Sequence, residues 1–99
     1  MGTKDDLGEE KLKDAVDPAE LLEGEDPKSE FPEDAEHWFG VYRELRDFKL
    51  KILNDAAVSV EKMSPDARKA VLGTDLRILR LELDRLESRL NYWKGRLPG

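Results

Sequence analysis

The chain contains no cysteine, which excludes disulfides, thiolate zinc sites and thiol nucleophiles. Its only histidine is His37, so metal binding or proton transfer by imidazole has one candidate group. Long hydrophobic runs are also missing. None approaches a signal-peptide core or a membrane span, and the chain reads as soluble and cytoplasmic, with no membrane partner. Glycine-rich phosphate loops are lacking, and no serine stands in a nucleophile setting. The carboxylates are spread along polar faces and not gathered where burial would shift their pKa values. These absences point away from an enzyme, and no cofactor or metal is expected.

What is present is charge. Charged residues make up 40% of 99 positions and hydrophobic residues 38%, a balance that suits exposed helices around a thin apolar seam. The net charge of −6 is unevenly placed. Residues 1–37 carry fourteen acids against four lysines, whereas residues 38–99 carry thirteen Lys and Arg against nine acids. An acidic front section therefore precedes a mildly basic one.

The strongest pattern lies in the basic section. Leu72, Leu76, Leu79, Leu83, Leu86, Leu90, Trp93 and Leu97 follow one another at alternating spacings of four and three. This heptad seam keeps one narrow helical face against a neighbouring helix. Ser64 supplies an N-cap hydroxyl, Pro65 a first helical residue that needs no N–H, and Asp66 an acid that suits the helix dipole. Ahead of that break, Trp38, Phe39, Val41, Tyr42, Leu45, Phe48, Ile52, Leu53, Ala56, Ala57, Val60 and Met63 form a wider apolar stripe. Glu33, Asp34 and Glu36 occupy its first turn. Asp34, Glu33 and His37 share a helical face as a metal cluster would, but no facing histidine completes it, and they read as a first-turn acid group. The W-x-G of Trp38-Phe39-Gly40 lies within the amphipathic run, which makes Trp38 a core anchor.

The expected fold is all-α, an antiparallel two-helix hairpin of coiled-coil character with helices over 32–63 and 65–97 joined at 64–65. Pairing Trp38 with Trp93, Val41 with Leu90, Leu45 with Leu86, Phe48 with Leu83 and Ile52 with Leu79 gives a constant sum of residue numbers, as antiparallel facing requires. Residues 1–31 read as a flexible, largely disordered acidic arm. Within it, Asp17-Pro18 and Gly24 frame a possible short helix over 18–23. A lone hairpin is under-buried, so a homodimer forming a four-helix bundle is expected, with the folded-back arm or another protein as alternative covers.

Two groups are candidates for partner binding. Arg85, Arg89, Tyr92 and Arg96 make a basic stripe with one aromatic on the second helix. Phe39, Tyr42, Ile78 and Leu81 lie beside the seams. The function expected is a small adaptor or regulator that binds a protein partner. The alternative is a nucleotide- or nucleic-acid-binding regulator that uses the arginine stripe, although the chain's overall acidity opposes polyanions. The acidic arm is itself an occupant suited to the stripe, steadied by Leu21 and Leu22.

Overall fold

The computed structural model describes residues 16–99, and the first fifteen residues of the expected arm lie outside them. Among the described residues every regular element is helical. Helix α1 spans Pro32–Glu61, α2 spans Pro65–Ala70, a single π-helical turn covers Val71–Asp75, and α3 spans Leu76–Lys94. The molecule measures 50 × 31 × 21 Å.

The turn between the long arms is built locally. The Ser64 hydroxyl accepts a hydrogen bond from the Ala67 amide at 3.3 Å, and Pro65 takes the first helical position. At the other side of the turn, the Arg68 guanidinium donates to the carbonyls of Val60, Glu61 and Met63. The Val60 carbonyl also accepts from the Met63 amide, and all three carbonyls cluster at the C-terminal end of α1, where a cation suits the helix dipole.

The axial register expected from the sequence matches the ion pair that bridges the helices, Lys49 to Glu82, whose numbers give the same sum. The facing side of α1 differs. The seam expected Val41, Phe48 and Ile52 inside, but the buried residues of α1 are Ala35, Tyr42 and Val60, and Phe48 is 61% exposed. Tyr42 has no exposed surface and packs with Ala35, Leu86, Leu90 and Trp93, flanked by Leu22, Trp38, Phe39, Leu45, Tyr92 and Leu97. The α1 stripe is wide enough to serve two rotations of the helix. Placing Tyr42 inward buries a large ring and gives its hydroxyl a partner, which Val41 cannot offer.

The second helix departs from its heptads at the π-turn. There the Leu76 amide bonds to the Val71 carbonyl, five residues back, so the turn holds one residue more than an α-turn. Leu72 is thereby rotated out to 47% exposure while Val71 turns partly inward. Gly73 and β-branched Thr74 hold α-geometry weakly, and the turn widens where they sit. From Leu83 onward the expected seam is buried: Leu83, Leu86, Leu90 and Trp93 are all inside.

Residues 16–31 form three successive turns, with no helix over 18–23, and run along α3. Asp17 and Asp26 each precede a proline, and their carboxylates accept from the amides of Ala19 and Lys28. Their carbonyls accept from Glu20 and Ser29, closing a turn each. Between them, the Glu25 amide bonds to the Leu22 carbonyl across Gly24, whose φ of +84° is the left-handed position a type II turn requires. Amides that would have propagated a helix are spent on these turns.

The rotation of α1 is directly testable. In urea melts of protein dilute enough to be monomeric, Leu83→Ala should cost about 2–5 kcal/mol, whereas Phe48→Ala should change stability by less than about 0.5 kcal/mol. A large loss at Phe48 would restore the rotation that its seam position suggests.

Candidate functional site

The expected arginine stripe on α3 is where the chain concentrates its polar chemistry. Arg85, Arg89, Tyr92 and Trp93 recur at helical spacing on one flank of α3, Arg96 continues that line in the turn after it, and residues 20–29 run along it in the same direction. We call this segment the strap. Its main-chain carbonyls take three of the donors: Glu20 accepts from Arg85 at 3.3 Å, Pro27 from the Tyr92 hydroxyl, and Ser29 from Arg96 at 2.8 Å.

The fourth point is a side chain. The Glu25 carboxylate is completely enclosed. One oxygen accepts from Arg89 at 2.6 Å and from the Trp93 indole N–H at 2.7 Å. The other accepts from the Tyr42 hydroxyl and from the Leu22 amide at 2.9 Å. A buried carboxylate without such donors would be severely destabilising. With one cation and three neutral donors, its lone pairs are filled. Arg89 also lies over the Tyr92 ring at 4.6 Å, although its Nε is buried with no acceptor.

Electrostatics follow from this enclosure. Burial alone would raise the Glu25 pKa, but the hydrogen bonds from Arg89, Tyr42, the Leu22 amide and Trp93 together outweigh it and hold the carboxyl below its ordinary value. Burial and the bond to Glu25 push the Tyr42 phenol up. Burial opposes the charge on Arg89, yet the Glu25 contact prevails and raises its pKa. The cluster is thus fixed as a carboxylate, a neutral phenol and a guanidinium.

The other candidates fall in different places. Tyr42 belongs to the core and offers no surface to a partner. Phe39 is half-buried against the core cluster, with Arg43 over its ring at 5.7 Å. Leu81 lines a cleft with Val16, Pro18, Asp84, Arg85 and Ser88, and Ile78 is half-buried one turn further towards the hairpin tip. Of the first-turn acids, Asp34 accepts from Ser29, and no group of three potential metal ligands exists among the described residues.

The sequence did not single out Glu25, and its visible signal is slight. It is one acid among fourteen in the front section, marked only by following Gly24 and preceding Asp26-Pro27. The carbonyl acceptors leave no side-chain pattern at all. No protein-family model, curated protein or solved structure matches the chain. No helix among the described residues is long and apolar enough to cross a membrane.

Removing the anchor should be costly. Glu25→Ala leaves Arg89 buried and unpaired, and should destabilise the chain by about 3–5 kcal/mol, with a changed Trp93 emission, read in a Trp38→Phe background because the chain has two tryptophans. The pH dependence has a definite sign. Because Glu25 titrates below its ordinary value of 4.5 when folded, its contribution is complete above that pH and is lost as pH falls through the folded value. Tyr42 acts oppositely, its contribution complete below pH 10.0 and lost as pH rises above it. Trp93 emission followed across pH should therefore hold a plateau between two losses. A low-pH loss centred above pH 4.5 would contradict a carboxyl held below its ordinary value.

Proposed function

We propose that the protein is a small non-enzymatic interaction module, an adaptor or regulator that works through its helical hairpin and self-associates in a cytoplasmic setting. The observation that carries this reading is the uneven cover of the rod. The strap encloses the end of the hairpin that holds Trp93. Towards the tip, Phe48 and Ile52 stand exposed one helical turn apart on α1, and Val58 and Leu72 are exposed as well. An apolar strip of this kind is a partner surface in a chain otherwise rich in charge. Ile78 and Leu81 lie half-buried on α3 at the matching level, as the Lys49–Glu82 register fixes it.

The occupant proposed for that strip is a second copy, giving a four-helix dimer. Catalysis finds little support in the geometry. The enclosed carboxylate is saturated by four donors and held in its ionised form, so it has neither a free lone pair nor a proton to exchange near neutral pH. The alternative, a nucleotide- or nucleic-acid-binding regulator, needs Arg85, Arg89, Tyr92 and Arg96, all of which donate to the strap.

If a second copy covers the strip, the melting temperature should rise with protein concentration. Phe48→Glu combined with Ile52→Glu should abolish that rise while leaving Trp93 emission unchanged. Light scattering that shows a monomer at high micromolar concentration, with a concentration-independent melt, overturns the dimer.

A further inference from the structure

The side of α1 turned away from its buried residues carries a second periodic pattern. Glu44, Phe48, Lys51, Asp55, Val58 and Lys62 follow one another at alternating spacings of four and three, and all six are exposed. At about 100° per residue, this stripe lies opposite Tyr42 and Val60, which mark the buried side of the helix. Phe48 and Val58 are 61% and 57% exposed. None of the ion pairs among the described residues uses Glu44, Lys51, Asp55 or Lys62. Heptad spacing on such a face is half of a helix–helix contact.

The order of the six residues selects the other half. Along the stripe, acid, apolar and base are followed by acid, apolar and base. Turned antiparallel to itself about the level of Leu53, the stripe sets Glu44 against Lys62, Phe48 against Val58 and Lys51 against Asp55. Two-fold symmetry makes each pair occur twice. Every charge meets its opposite, and each apolar side chain meets another. Neighbouring alignments lose this match. A parallel pairing in register sets each charge against its own kind. Shifting the antiparallel pair by one heptad sets Glu44 against Asp55 and Phe48 against Lys51, or, in the other direction, Lys51 against Lys62.

We propose that this outer stripe is the dimer face, with α1 of one copy antiparallel to α1 of a second and the two-fold axis at the level of Leu53. The inference rests on the self-association proposed above and adds which face meets, in which direction and in which register. The paired segment, residues 44–62, is about 27 Å long, and only Phe48 and Val58 supply apolar area along its centre line. A contact of this size takes its register from its charges and dissociates on dilution. In this arrangement α3 lies on the far side of each copy, so the strap and the Glu25 site are undisturbed.

Charge reversal beside the axis tests the proposal in the full chain. Lys51→Glu creates two like-charged pairs across the interface, and Asp55→Lys creates two of the opposite sign. Each variant alone should self-associate about tenfold or more weakly at low salt, measured by sedimentation equilibrium. Mixed in equal amounts, the two set acid against base at both places, and native mass spectrometry should show a heterodimer in preference to either homodimer. Repulsion within each helix is the same in the mixture as in the separate variants, so recovery reports the contact between chains. High salt should shrink these differences.

Direction and register have their own readout. One chain carries Glu44→Cys and a second carries Lys62→Cys, in a sequence with no other cysteine. Oxidation should join the two variants to each other and leave either one alone uncrosslinked, since like positions lie about 27 Å apart. A native chain that stays monomeric at high micromolar concentration overturns the self-association and this inference together. A native dimer indifferent to both charge reversals, or a loss that mixing does not restore, overturns the stripe and leaves self-association standing. A disulfide formed by the Glu44→Cys variant alone overturns the antiparallel direction.

Discussion

Everything in this small structure depends on one enclosed carboxylate. Glu25 sits outside the helices, yet it bonds to groups on both of them, Tyr42 on α1 and Arg89 and Trp93 on α3. An ionised group in such a place is tolerable only when every lone pair is used. That requirement fixes the rotation of α1, the aromatic rotamers at the closed end of the rod and the course of the strap. The stake is high in both directions. The satisfied network specifies one arrangement, and loss of any member leaves another charge or dipole stranded.

The need for such a device follows from size. Two amphipathic helices bury a single seam, and a rod of this kind exposes too large a share of its apolar surface to be secure alone. The chain covers one end by folding its own acidic segment back, using three turns that are each cheap to form because Asp-Pro pairs and Gly24 preset them. The strap presents carbonyls to arginines and a tyrosine, an arrangement also suited to holding an extended peptide from elsewhere. Among the described residues the tip end has no such cover, and the proposed function and its partner surface both arise from that asymmetry.

Much of the helical framework was legible in the sequence. Ser64-Pro65-Asp66 marked the turn because capping is a local property, and Leu83, Leu86, Leu90 and Trp93 marked the seam because a heptad pattern has one reading on a helix. The α1 rotation was not legible. Its stripe admits Val41 or Tyr42 inward, and the choice is made by Glu25 from outside the helix. Leu72 was misplaced because a π-turn adds one residue to the count, and periodicity assumes a constant one. Asp17-Pro18 and Gly24 read equally well as helix bounds or turn residues, since both use the same cap chemistry. The arginine stripe stood out as a binding face, but its occupant did so only as a charge excess. Main-chain carbonyls carry no sequence signal, and one buried glutamate reads in the sequence like any other acid of the front section.

The central claim is that Glu25 holds the Trp93 indole N–H inside a closed site, and hydrogen exchange of that single proton tests it most directly. If the anchor is intact, the indole proton should exchange at neutral pH only as the cooperative unit around it opens, as slowly as the best-protected amides of α3. Exchange at the rate of a free indole, with the α3 amides still protected, would show that the carboxylate does not occupy the site and would contradict the account.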